Sequence, residues 1–353
     1  MDGYRLPGLT LSIEGPTSAA QSILAALFQL CPRQAGRGEM TLTSRLVSED
    51  RLADAVPDWV AAGIPSIQKI LDPVLIVGPA GQFAAVARTE NSVCCASVDE
   101  TGSAMEFVAT TRTVVDAGRP SVPGRPRELK SAQYTGPVAL SVQTVLIPIL
   151  REVFLRRNRV LVHSAAAACP DGTGILFIAD GGGGKTTTAL TVLRKGARML
   201  GDDLIVLEAD RGRVRASGIP EPMNLTENTI RFFDELRAAT DSIPGRPDFH
   251  KRTVAPQQIY GPDCMIEQCD LHVVYFVRVT PDGPSVRPLG ATDTLNRLFQ
   301  AHRFAHGQKI TERSFEQLSG VVAGVRAYEL STGPDPVALG EWLITNCAAH
   351  AAR

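Results

Sequence analysis

Residues Gly174 to Asp203 read GILFIADGGGGKTTTALTVLRKGARMLGDD. The stretch opens on an apolar run, Gly174-Ile-Leu-Phe-Ile-Ala179, of the length of a buried strand. Four glycines follow, Gly181, Gly182, Gly183 and Gly184, then Lys185, Thr186 and Thr187. From Thr187 to Lys195, the spacing of Ala189, Leu190 and Leu193 predicts a helix with one apolar face. Strand, glycine turn and helix are the context of a phosphate-binding P-loop. Glycines let backbone N–H groups close around a phosphate without a Cβ in the way. In such a turn Lys185 reaches the β- and γ-phosphates, and the Thr186 hydroxyl sits on Mg²⁺. The new helix adds its positive N-terminal dipole. Ala179 stands where the strict P-loop pattern has its first glycine.

Working outward, Lys195-Gly196 stops the helix, since glycine after a basic residue is a helix end. Asp202 and Asp203 follow Lys185 by seventeen and eighteen residues and lead into the apolar run Leu204 to Leu207. Two adjacent carboxylates at a strand start beside a phosphate site can divide two tasks: holding a metal and taking a proton from a hydroxyl. Upstream, Val160 to Ala168 reads as one strand carrying His163, twenty-two residues before Lys185.

Lys185 to Asp203 resembles the nucleotide site of the HPr kinase/phosphorylase family, whose wider group includes the phosphoenolpyruvate carboxykinases. The likeness lies in the loop, the helix ending in a basic residue and glycine, the Asp-Asp pair, and a histidine about twenty residues before the loop lysine. It is carried from about Leu161 to Leu207. It implies an α/β fold: a P-loop kinase domain of HPr kinase or carboxykinase type preceded by a smaller α+β domain. It implies Asp203 as proton acceptor for a substrate serine with Asp202 beside it, His163 in support, Lys185 on phosphate, and Thr186 with Asp202 on the metal. Asp180 matches the family's acidic residue within the loop. The implied cofactors are ATP or GTP and Mg²⁺, and the implied partner is a protein or peptide with an acceptor serine. The family's downstream metal-binding glutamate has no recognisable motif here; Glu221 and Glu227 are the nearby candidates, each read in preference as a surface acid. The alternatives left open are a nucleotide-binding regulatory or assembly protein, and a kinase of a small hydroxyl metabolite.

The polar loop Asp241 to Pro256 gathers His250, Lys251 and Arg252. A basic loop near a P-loop can clamp phosphate and spread transition-state charge, which makes Lys251 and Arg252 site candidates. Thr226 is expected to cap a helix running through Leu236.

The chain has 353 residues, which suggests two domains. Residues 1–130 read as an α+β module, and 131–353 as the nucleotide-binding domain, with a Pro/Gly-rich linker at Gly118 to Pro126. In the module Leu9 to Ile13, Val74 to Val77, Gln82 to Arg88, Ser92 to Ser97 and Glu106 to Thr113 read as strands, and Ser18 to Leu30 as a helix. A net charge of −1 gives no basic surface for nucleic acid or lipid. No signal-like N-terminus and no spanning apolar run are seen, so a cytoplasmic, soluble protein is expected, with a homo-oligomer left open. Seven cysteines without paired CxxC spacing read as reduced thiols, mostly buried. His302, His306 and His350 lack partners at ligand spacing and read as surface residues.

Overall fold

The computed structural model describes residues 2–14, 31, 33–35, 38–62, 64, 70–88, 93–110, 137–240, 251–302 and 312–352. The architecture is mixed α/β, and the chain divides into two compact units, with the division after Arg157. The sequence boundary near residue 131 lies outside the described residues, as do the proposed helix over 18–30 and the linker.

The first unit is built on one eight-stranded sheet. Its strands are β1 (Asp2–Leu6), β2 (Leu9–Glu14), β3 (Arg33–Ala35), β4 (Met40–Val47), β5 (Ile70–Val77), β6 (Phe83–Arg88), β7 (Val93–Val98) and β8 (Ala104–Thr110). Their order is β3-β1-β2-β4-β8-β7-β6-β5. Small and branched residues fill β6 and β7, so helices can approach closely. Short helices α1 (Leu52–Ala55) and α2 (Asp58–Ala61) put Leu52 and Val60 against Ala84, Val86, Cys95 and Val108. The long helix α3 (Pro137–Arg156) packs on β5, β6 and β7, which is why it belongs to this unit. Arg156 at its end donates to the carbonyls of Glu100 and Gly81, at 3.1 and 2.6 Å, tying two turns of the sheet.

The second unit begins with β9 (Val160–His163), β10 (Ala165–Ala168) and β11 (Gly174–Ile178). Helix α4 (Lys185–Arg194) follows, then β12 (Arg198–Gly201), β13 (Leu204–Asp210), β14 (Arg213–Gly218) and β15 (Met223–Thr226). Next come α5 (Glu227–Ile230), α6 (Asp234–Thr240), β16 (Lys251–Val254), α7 (Gln257–Tyr260), β17 (Gln268–Arg278) and β18 (Ser285–Pro288). Helix α8 (Ala291–His302), α9 (Glu312–Gly324), β19 (Arg326–Ser331) and α10 (Pro336–Ala352) complete the chain.

Strand β17 is the spine. Its apolar run lies buried, and it pairs in parallel with β11 and β19 and antiparallel with β14. The path β12-β10-β11-β17-β14-β13-β9 makes one nine-stranded sheet with β18 and β19. Phe177 of β11 stacks on Tyr275 of β17 at 5.9 Å, and Leu190, Leu193, Leu339 and Leu343 from α4 and α10 join the same core. Each such buried side chain contributes roughly 1.5–3 kcal/mol of transfer free energy. Gly340 lets α10 press on α4: a Cβ there would lie 2.7 Å from the Thr191 carbonyl oxygen.

Three sequence expectations change. The strand read over Val160 to Ala168 is two, broken at Ser164, because β9 pairs with β13 whereas β10 pairs with β11 and β12. The helix expected from Thr226 to Leu236 is also two. Thr226 does cap it, accepting from the Thr229 N–H at 3.2 Å, but α5 ends at Ile230 and α6 restarts at Asp234, with Phe233 buried between them. His302 and His350 are buried rather than on the surface. The His302 Nδ1 lies 2.8 Å from the Leu161 carbonyl oxygen, and the His350 Nδ1 lies 2.7 Å from the Tyr275 hydroxyl. His306 lies outside the described residues. The described cysteines are free thiols, six of them buried and Cys269 half-buried. Among the described residues no helix is long and apolar enough to cross a membrane.

Candidate functional site

The site grows from the end of β11. Gly174 starts this strand because β17 runs too close for a side chain: a Cβ would sit 2.0 Å from the Asp270 carbonyl oxygen. The strand delivers the chain to a tight turn, Ala179 to Gly184, closed by Gly183 N–H donating to the Asp180 carbonyl at 2.8 Å. Gly182 and Gly184 take φ of 77° and 94°, the left-handed region that favours glycine. At Gly183 a Cβ would meet that of Ala179 at 2.9 Å, so this position needs glycine for space. Asp180, Gly181 and Gly182 are exposed at the rim. Gly184 gives α4 no side-chain cap, so the positive helix end faces the turn.

Lys185, Thr186 and Thr187 form the first turn of α4 and point three ways. Lys185 is buried, with Nζ 2.7 Å from the His163 Nε2. A lysine ammonium has only donors, so a neutral imidazole accepts here through Nε2. Thr186 Oγ1 donates to Asp202 Oδ2 at 2.9 Å. Thr187 Oγ1 lies 2.9 Å from Thr229 Oγ1, which lies 3.1 Å from Thr226 Oγ1.

Strand pairing brings the histidine and the acids together. Asp202 and Asp203 form the turn between β12 and β13. In the β9–β13 ladder His163 lies opposite Leu204, and Ser164 N–H donates to the Asp203 carbonyl at 3.2 Å. His163 Nε2 therefore comes within 3.9 Å of Asp203 Oδ1, with both side chains part-exposed. Asp202 turns inward and is buried.

Of the two candidate glutamates, Glu221 lies near the aspartates. Glu221 follows β14 and is half-buried. Burial first, then the negative charges of Asp203 and Asp202, push its carboxyl up to about 8. Gly218 lets the end of β14 pass close to β12, since a Cβ there would fall 1.8 Å from the Leu200 carbonyl oxygen. The signal in the sequence was weak: a lone glutamate, eighteen residues past Asp203, with a hairpin in between.

The basic loop is partly a strand. Lys251 and Arg252 lie on β16, opposite Thr226 and Leu225 of β15. The Arg252 Nε donates to Glu227 Oε1 at 2.9 Å, so Arg252 is anchored on α5 rather than carried on an irregular loop. The Lys251 backbone lies beside Thr226, whose hydroxyl leads through Thr229 to Thr187. Residues 241–250 lie outside the described residues. Glu227 itself is exposed, as expected.

These groups suit an anionic ligand with a hard cation. The glycine turn has room and donors for phosphate oxygens, and Lys185 supplies positive charge. The Thr186 hydroxyl and the Asp202 carboxylate that it meets are oxygen donors, the chemistry Mg²⁺ prefers. Lys185 and the Thr186–Asp202 pair are the groups here that would hold a phosphate and a hard cation.

No family model matches the chain, and no curated protein matches it. Among solved structures, the HPr(Ser) kinase/phosphatase from Coxiella burnetii is similar over 54% of this chain and 96% of that one, with 12% identity and a TM-score of 0.32. That is a distant structural likeness.

Proposed function

We propose that this chain is an ATP-dependent kinase of the HPr kinase type that transfers the γ-phosphoryl group to a serine hydroxyl of a protein or peptide. What supports the reading is the meeting of two short contacts at one glycine turn: Lys185 to His163 at 2.7 Å, and Thr186 to Asp202 at 2.9 Å. A glycine turn that bound nothing would have no use for a buried lysine held on a histidine and a threonine held on a buried carboxylate beside it. Nucleotide bound at the turn supplies the phosphoryl group, and Mg²⁺ neutralises its charge.

The chain's own residues then have separate tasks. Lys185 brings a fixed cation to the phosphate side, and His163 holds its amine in place as an acceptor. Thr186 and Asp202 would hold the metal. Asp203, more exposed than Asp202, is the base. It takes the serine proton as the serine oxygen forms its bond to phosphorus and the bond from phosphorus to the departing ADP oxygen breaks. Glu221 is a further carboxyl near the two aspartates, and a bound cation would favour its ionised form. Lys251 and Arg252 belong to the strand paired with β15, and the Arg252 guanidinium would shield phosphate charge from that side.

Incubating the protein with labelled ATP, Mg²⁺ and candidate polypeptides, followed by mass mapping, tests this. Phosphate on a serine of an acceptor is the expected result. Nucleotide binding with no transfer to any polypeptide or small hydroxyl compound would make the chain a nucleotide-binding regulator instead.

A further inference from the structure

A second group of ligand-type side chains lies at the other end of the β10–β11 hairpin. Cys169 follows β10, Asp171 sits in the turn, and Cys347 lies on α10. The two sulfurs and a carboxylate oxygen all lie within 4.8 Å of one another. We propose that Cys169, Asp171 and Cys347 bind one soft divalent cation of the zinc class.

The chemistry of the three atoms carries this. Zinc sits about 2.3 Å from thiolate sulfur, which puts tetrahedral sulfur ligands about 3.8 Å apart. The three atoms are therefore within about 1 Å of closed geometry before any cation arrives. Thiolates select zinc-class ions over Mg²⁺ or Ca²⁺, so this is not a second copy of the oxygen site at the glycine turn. Two buried thiols alone need no explanation beyond packing. A carboxylate facing both sulfurs completes a three-donor set that two thiols alone do not make.

The surroundings fit. Asp171 Oδ1 accepts from the Thr173 N–H at 2.9 Å, which fixes the carboxylate as supporting hydrogen bonds do around metal ligands. The turn is closed by Cys169 N–H to the Thr173 carbonyl and Gly172 N–H to the Cys169 carbonyl, both 2.9 Å. Cys169 and Cys347 are buried while Asp171 is exposed, so the cation reaches the thiols from the solvent side. Binding converts two thiols to thiolates, so one cation enters as two protons leave. The bound cation joins α10 to the sheet. Because α10 also holds α4 through Gly340 and the Lys195–Glu341 ion pair at 2.5 Å, the cation braces the helix that carries Lys185.

The test is a titration of the reduced, metal-free full chain with Co²⁺, read by absorption. Expected are a thiolate-to-cobalt charge-transfer band and strong visible bands of tetrahedral cobalt, saturating at one ion per chain and removed by Zn²⁺. Asp171→Asn alters only an exposed turn, and is expected to weaken Co²⁺ binding at least about tenfold, since even outer partners of metal ligands cost about 10- to 100-fold. Cys347→Ser should abolish the charge-transfer band. If that variant does not fold, Asp171→Asn and the release of two protons per ion in the wild type carry the test. Absence of the band overturns the proposal, as does a band unchanged in both variants. Peroxide coupling of Cys169 to Cys347, with two thiol protons and two electrons passing to the peroxide to give water, in a chain that binds neither ion, would also overturn it and make the pair a redox switch.

Discussion

Replacing Glu221 by Gln removes one ionisable carboxyl near Asp202 and Asp203 and leaves the size of the side chain nearly unchanged. Burial, then Asp203 and Asp202, raise the Glu221 carboxyl from 4.5 to about 8 in the folded chain. Below the unfolded value both states hold the proton, and the group has no influence on stability. Between that value and about 8 the folded chain keeps a proton that the unfolded chain releases, so stability falls as pH rises through the window. A tenfold difference in proton affinity between the two states is worth about 1.4 kcal/mol, which sets a ceiling of about 5 kcal/mol. Half-burial brings the expected cost to about 1–2 kcal/mol. Gln cannot ionise, so its stability escapes this loss. Thermal unfolding of wild type and Glu221→Gln should therefore give similar midpoints near about pH 5 and a variant melting about 3–6 °C higher near about pH 9. Excess Mg²⁺ should narrow the gap at the alkaline end, because a cation favours the ionised group. A gap of equal size at both ends, or a wild type that gains stability with pH relative to the variant, would refute the placement of Glu221 in the acid group.

Lys185→Ala should abolish Mg-ATP binding in a calorimetric titration, because backbone donors do not replace the cation; unchanged affinity would put the nucleotide elsewhere. Gly184→Ala forces a Cβ into a left-handed residue and to 3.1 Å from Val279. It should cost about 1–2 kcal/mol in denaturant unfolding and weaken nucleotide binding, and a neutral result would mean that the turn is not held as described. Arg252→Ala breaks a part-exposed ion pair with Glu227 worth up to about 1 kcal/mol. Transfer should fall at least about tenfold with little change in melting, and unchanged transfer would remove Arg252 from the site.

The glycine turn and its helix were legible because they are contiguous: strand, turn, helix and lysine follow one another within a dozen residues. The closeness of His163 to the aspartates was visible only as a spacing. Its cause is a register, the antiparallel pairing that sets His163 opposite Leu204. Glu221 was one of two candidate glutamates, and the usual exposure of glutamate favoured a surface reading; its half-burial near the aspartates is set by pairings distant in the chain. His302 and His350 were misread for a related reason. Their partners, Leu161 and Tyr275, lie 141 and 75 residues away, beyond any local pattern. Arg252 looked like part of a loop because a four-residue strand paired with a distant one carries no periodic signal of its own. The cysteine group was hidden in the same way, with two ligands in one turn and the third on the last helix.

The most direct measurement pairs nucleotide affinity with single-turnover transfer to a phosphorylatable polypeptide, in wild type and Asp203→Asn. Asparagine keeps the shape of the turn between β12 and β13 but accepts no proton, so transfer should fall by about 10²- to 10⁴-fold. Affinity should hold or rise, since a negative charge near the phosphates is gone. Equal transfer in the two proteins would contradict the assignment of Asp203 as the base.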